Sequence, residues 1–150
     1  MDSYSLDDKG RLTIPRRAWR PLFDEVMTAL VVNDQSESRV SVYPFPKDPR
    51  KRRKLYRRIA QYNFSLDSEF QDDRFLQAYV GLHIFEQHVD SMHRVILPEA
   101  SQKHLTVPKN RKLVVVFNHL NSLGVDAWNP QQYQRYLTNL VRYYQGMRNG

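Results

Sequence analysis

The chain contains no cysteine, which removes disulfides, thiolate zinc sites, iron–sulfur clusters and cysteine nucleophiles in one step. Glycine is also scarce, five residues with none clustered, so a phosphate-cradling glycine-rich loop is missing. Long apolar runs are absent as well: residues 113–117 fall far short of the roughly 18 residues that a membrane span needs. The opening segment, MDSYSLDDKG, lacks the basic start and apolar core of a signal peptide, and a cytoplasmic location is expected. His83, His88 and His93 recur at a spacing of five, which fits neither one helix face nor one strand face, so metal ligands would not converge. The carboxylates Asp67, Glu69, Asp72 and Asp73 read as the charged start of a helix. The expectation is no catalytic residue, no metal, no cofactor, no membrane contact and no small-molecule substrate.

What is present is an ordinary globular composition with an unusual distribution of charge. Of 150 residues, 41% are hydrophobic and 26% charged, enough to build a packed core. The net charge is +7, and residues 47–58, KDPRKRRKLYRR, hold eight basic side chains and one acid. The rest of the chain balances at fifteen of each sign, so the whole excess lies in that block. Such a block attracts polyanions. On a helix its charges are expected to spread around much of the circumference, with Leu55 and Ile59 marking the buried side, and to add affinity for nucleic acid without sequence preference.

The two ends of the sequence repeat each other. Residues 6–22, LDDKGRLTIPRRAWRPL, overlay residues 89–105, VDSMHRVILPEASQKHL, without a gap, aligning Asp7 with Asp90, Arg11 with Arg94, Pro15 with Pro98 and Leu22 with Leu105. After a two-residue insertion, residues 29–45 lie over residues 114–130, with Asn33 on Asn118 and Tyr43 on Trp128. In each half the pattern predicts a strand, a turn, a short strand, a short helix entered through proline, and a hairpin. The hairpin strands are expected over 29–33 and 39–43 in the first half and over 112–118 and 123–128 in the second. A longer helix then follows each hairpin. The first runs from Pro49 to about Tyr62; the second starts after Asn129-Pro130 and carries Tyr133, Tyr136, Leu137, Leu140, Val141 and Tyr144 as an apolar stripe. A further helix is predicted over 67–79, with Ser65 or Asp67 as its cap. The chain thus divides into a first repeat with its basic helix (1–62), an inter-repeat helical segment (63–81) and a second repeat with the C-terminal helix (82–150).

LDDKGRLTIP carries the most chemistry. The Asp7 carboxylate can fold back onto the amides of a tight turn, and Gly10 can supply a positive φ. Lys9 and Arg11 then stand together on a rigid turn at a strand edge, with Arg16, Arg17 and Arg20 following. Two roles are open for Arg11: bidentate contact with guanine or phosphate, or an ion pair with Asp7 that only staples the turn. The second copy carries Met92-His93 where the first has Lys9-Gly10, and histidine tolerates positive φ better than most residues. Charge differs between the copies: residues 7–20 hold five basic and two acidic side chains, residues 90–103 two of each, so the second copy is expected to serve structure more than DNA.

The paired D-x-x-x-R motifs, with Asp126-Ala127-Trp128-Asn129-Pro130 ending the second hairpin, resemble those of the MraZ transcriptional regulators, relatives of the SpoVT/AbrB DNA-binding domains. The resemblance implies an α+β, mainly β fold: a tandem-duplicated, swapped-hairpin β barrel with short helices and a longer helix after each half. It also implies a ring-like homo-oligomer, nucleoid-associated, that binds double-stranded DNA at direct repeats upstream of the division and cell-wall operon. Arg11 is the expected main DNA contact, with Lys9, Arg16, Arg17 and Arg94 as further contacts and Asp7, Gly10 and Asp90 as turn formers. The C-terminal helix and the stripe around Leu55 and Ile59 are the expected subunit contacts. The alternative is an AbrB-like antitoxin or a protein- or RNA-interaction scaffold without specific DNA readout.

Overall fold

The same order of elements occurs twice in the computed structural model, which describes residues 2–23, 27–66, 81–118 and 123–149. Each half opens with a strand, β1 (Asp2–Ser5) or β5 (Ile84–His88). A turn leads to a three-residue strand, β2 (Arg11–Thr13) or β6 (Arg94–Ile96), and then to a short helix, α1 (Arg16–Ala18) or α3 (Glu99–Leu105). The hairpin is β3 (Thr28–Asn33) with β4 (Arg39–Pro44), or β7 (Lys112–Phe117) with β8 (Val125–Trp128). Long helices close the halves, α2 (Pro49–Phe64) and α4 (Pro130–Asn149). After α1 the chain widens into a π-helical turn, Trp19–Phe23, because Pro21 has no N–H to continue an α-helical ladder.

Both long helices start from the same device. Asp48 and Asn129 each precede a proline and accept the amide two residues on, from Arg50 at 2.9 Å and from Gln131 at 2.9 Å. Ser65, with Asp67 one of two expected caps for a following helix, ends α2 in the left-handed region at φ 53°, with the Leu66 amide donating to the Ala60 carbonyl at 3.0 Å. The helix predicted over 67–79 lies outside the described residues.

Six strands form one antiparallel sheet in the order β1-β7-β8-β4-β3-β5. The halves exchange their first strands: β1 pairs with the second half's β7, and β5 with the first half's β3. At the centre β4 meets β8, and Ser41 opposes Asp126. These two residues are equivalent in the repeat, so an approximate twofold axis passes between them. The same axis governs a separate two-stranded ribbon of β2 and β6, in which Leu12 opposes its own equivalent, Val95. Among the described residues the strands do not close into a ring. β1 and β5 are the edges of the sheet, and the motif strands, three residues each, bond to each other, with one isolated bridge, Val89 to Val95, joining the residue after β5 to β6. The expected barrel is an open α+β arrangement, mainly β, of a sheet and a ribbon.

Alternation along the strands sorts the core onto two faces. Ala29, Val31, Val40, Val42, Leu113, Val115, Val125 and Ala127 pack against Leu12 and Val95 of the ribbon, against Ile14 and Leu97 directly after its strands, and against Ala18 and Leu105 of the short helices. The other face takes the long helices. Leu30, Val32 and Tyr43 pack on Leu55 and Ile59 of α2, while Val114, Val116 and Trp128 pack on Tyr133 of α4. Leu55 and Ile59 are therefore buried within the chain and are not a subunit contact. The C-terminal stripe divides instead: Tyr133 is buried, and Leu140, Val141, Tyr144 and Met147 are exposed.

A buried polar network sits on the helix side of the axis. Arg39 Nε donates to Asp34 at 2.9 Å, and its guanidinium lies 4.2 Å from the Tyr62 ring centre. Asp126 accepts from Ser41 Oγ at 2.6 Å, from the Tyr62 hydroxyl and from Asn118 Nδ2. Asn63 donates to Asp34 at 2.8 Å and to Ser41 at 2.9 Å, and accepts from Tyr43. Burial pushes Asp126 above its ordinary value, with Arg39 and the Ser41 and Tyr62 hydrogen bonds opposing it. Desolvation works against the Arg39 cation, but Asp34 and Asp126 beside it hold it above its ordinary value.

Removing the one cation from this group leaves two carboxylates facing each other in the interior. Arg39→Met should therefore cost about 3–5 kcal/mol near neutral pH, read from urea unfolding. The folded protein takes up the Asp126 proton before the unfolded chain does, so stability from this group falls as pH rises above 3.8. The deficit of the variant should shrink as pH is lowered toward that value; a deficit that grows on acidification would contradict the assignment.

Candidate nucleic-acid interface

The two D-x-x-x-R turns are built alike, bond for bond. In the first, Asp7 Oδ1 accepts the amides of Lys9 (3.0 Å) and Arg11 (2.8 Å), and Oδ2 takes Arg11 Nε at 2.5 Å. In the second, Asp90 Oδ1 accepts Met92 (3.0 Å) and Arg94 (2.9 Å), and Oδ2 takes Arg94 Nε at 2.8 Å. The residue before each arginine is left-handed, Gly10 at φ 73° and His93 at φ 57°. Histidine therefore fills the place that glycine holds in the first copy. The ion pair that was one of two readings for Arg11 is present, and in both copies.

The turns are also tied across the axis. The Leu97 amide donates to the Gly10 carbonyl at 2.9 Å, and Ile14 donates to His93 at 2.8 Å. The His93 ring stacks on Trp19 at 4.1 Å with 12° between planes, and Trp19 Nε1 donates to the Ile14 carbonyl at 2.6 Å. Arg111 holds the first turn from behind, donating from Nη2 to the Asp7 carbonyl at 2.5 Å. Neither the Trp19–His93 stack nor Arg111 was expected from sequence, because no local spacing links residues so far apart in the chain. A Cβ at Gly10 would lie 2.5 Å from Gln102 Nε2, the far end of a flexible side chain, so the positive φ is the reason for glycine there.

With Leu12 and Val95 turned into the core, the other ribbon positions, Arg11, Thr13, Arg94 and Ile96, lie on its outer face. Arg11 stands opposite Ile96 and Arg94 opposite Thr13, so the two arginines are offset along the ribbon by about 7 Å, close to two base-pair steps. Each uses Nε in its staple, which fixes the plane of the guanidinium and leaves the Nη donors without a hydrogen-bond partner among the described residues. Lys9 is exposed at the tip of the first turn, and Arg16 and Arg17 are exposed on α1, their guanidinium carbons 6.0 Å from the Trp19 ring centre and 5.5 Å from the Phe117 ring centre. The equivalent places in the second half are Glu99 and Ala100, so the flanking positive charge belongs to the first half. A two-stranded ribbon has the width of a DNA major groove, and an arginine held by a carboxylate keeps one end ready for a bidentate acceptor.

The 25% identity with "Transcriptional regulator MraZ" from Mycobacterium avium (strain 104) runs over 130 residues, 87% of this chain and 81% of that protein. The same figures hold for the protein of that name from Mycobacterium tuberculosis (strain H37Rv). The chain resembles MraZ regulators along most of its length. No family model matches it.

Desolvation raises Asp7 and Asp90, but the hydrogen bonds from the arginine amides and side chains outweigh it and hold both carboxyls below their ordinary value. The staples accordingly contribute stability above 3.8 and lose it as pH falls through the lowered folded-state values. In a carbon-13 carboxyl NMR titration Asp7 and Asp90 should both titrate below 3.8, and Asp126 above it. A midpoint for Asp7 or Asp90 at or above that value would contradict the staple.

Proposed function

We propose that this chain is a divergent MraZ-type transcriptional regulator that binds double-stranded DNA through the outer face of the β2–β6 ribbon. The observation that carries the reading is the pair of matching carboxylate-held arginines, Arg11 and Arg94, on one antiparallel ribbon. They read bases, while Lys9, Arg16 and Arg17 contact phosphates beside the first turn. Asp7, Gly10 and Asp90 serve by shaping the turns. The exchange of first strands between the halves supports a SpoVT/AbrB-like swapped-hairpin architecture with repeats over 1–62 and 82–150 joined by 63–81.

As in the family it resembles, the target is a set of repeated promoter elements of the division and cell-wall operon, and the working form is a ring-like homo-oligomer on the nucleoid. One ribbon offers few contacts, so several ribbons in one assembly raise the effective concentration of each later contact. The exposed face of α4, where Leu140, Tyr144 and Met147 continue the stripe from Tyr133 and Leu137, supplies a surface for a second copy.

Binding of a duplex from the chain's own upstream region, compared with a scrambled duplex, tests this reading. Arg11→Ala and Arg94→Ala should each cost about 1–3 kcal/mol on the upstream duplex and little on the scrambled one, with the light-scattering mass unchanged and above that of one chain. Single alanines at Lys9, Arg16 or Arg17 should weaken both duplexes and lower the salt slope by about one. Unaltered preference for the upstream duplex in both arginine variants would overturn the proposal.

A further inference from the structure

The basic block is placed where the ribbon cannot use it. Residues 30 and 32 face α2 and residues 29 and 31 face the ribbon, so α2 and the D-x-x-x-R turns lie on opposite sides of the same sheet. Two layer spacings, about 20 Å, separate them, and one straight duplex seated on the ribbon does not reach the helix.

The charges on α2 are also sorted more sharply than expected. Arg52 is half-buried, its Nε donating to the Pro46 carbonyl at 2.5 Å and its guanidinium 4.1 Å from the Phe45 ring centre. Arg50, Lys51, Arg53, Lys54, Arg57 and Arg58 are exposed and, at 100° per residue, fall within one arc opposite Ile59. They form a single face and do not spread around the circumference. No acid stands in the helix, and none of the six makes an ion pair with a described residue. Arg50–Lys54, Arg53–Arg57 and Lys54–Arg58 are like-charge neighbours one turn apart, and Arg50 and Lys51 stand at the positive end of the helix dipole. The fold itself gains nothing from this arrangement; a row of phosphates would neutralise it.

We infer that the exposed face of α2 is a second, sequence-blind site for the phosphate backbone of duplex DNA, and that the chain joins two duplex segments, one on the ribbon and one on α2. The joining rests on the proposed function of the ribbon; the α2 site does not. Its cations are spaced along a convex helix, which suits phosphates and reads no bases.

The test compares the full chain, the fourfold variant Arg50→Gln, Lys51→Gln, Arg53→Gln, Lys54→Gln, and the double variant Arg11→Ala, Arg94→Ala. Glutamine is a good helix former, so circular dichroism should be unchanged in the first. With a scrambled duplex, the fourfold variant should bind at least about tenfold more weakly with a salt slope lower by roughly three to four, while the double variant keeps most of the affinity of the full chain. In a sandwich assay, beads carrying the upstream duplex should capture a labelled scrambled duplex through the full chain and not through the fourfold variant, which still binds the beads. Unchanged affinity and slope in the fourfold variant, or undiminished sandwich capture by it, would overturn the inference, as would tighter binding of single-stranded RNA than of duplex through the same four residues. Loss of upstream preference is read only in the double variant, so failure of the ribbon is distinguishable from failure of α2.

Discussion

A carboxylate that accepts two backbone amides with one oxygen and a guanidinium Nε with the other fixes everything near the ribbon. It makes the turn after β1 or β5 rigid, forces the residue before the arginine into the left-handed region, and sets the strand that follows in register. Because Asp7 and Asp90 do this identically, β2 and β6 emerge as equivalents and pair about the axis between Leu12 and Val95. The exchange of first strands follows from the same geometry: each turn directs its preceding strand toward the other half's hairpin. Neither half can make this core alone, since Leu12 and Val95 fill one cluster with residues of both hairpins.

The axis needs a second anchor on the far face, and the polar network supplies it. Asp126 belongs to the DAWNP string that carried part of the family resemblance, yet it is buried and hydrogen-bonded to Ser41, Tyr62 and Asn118. Its work is to bind α2 to the centre of the sheet. Asn129, in the same string, caps α4 and donates to the Thr106 carbonyl at 2.7 Å. The string therefore reports architecture, whereas the arginines of the turns face outward.

Much of this was legible in the sequence because it is local. The spacing of Asp, Arg and Pro gave the turns, the short strands and the helix starts; the left-handed residue was readable as Gly10, and as His93 by alignment. The choice of strand partner was not readable, since a period of two says which face is buried and nothing about which strand lies alongside. The same limit explains Leu55 and Ile59: helical spacing marked a buried stripe, but only the packing against Leu30, Val32 and Tyr43 tells that the burial is internal. Ser65 ends α2 as a polar left-handed stop, a role that serine suits as well as a cap at an N-terminus, and the sequence offers no test between them. The basic block was legible as charge, while its confinement to one face away from the ribbon depended on how Arg52 and Ile59 seat the helix.

The central claim is that the ribbon, with its two matched turns, carries DNA. Photo-crosslinking groups placed singly at positions 9 and 92, the equivalent exposed tips of the two turns, address it most directly with the upstream duplex bound. Both positions should crosslink efficiently, and to two nearby sites on one duplex related by the local twofold axis. Crosslinks absent from both tips, on a chain that still retains the duplex, would contradict the account.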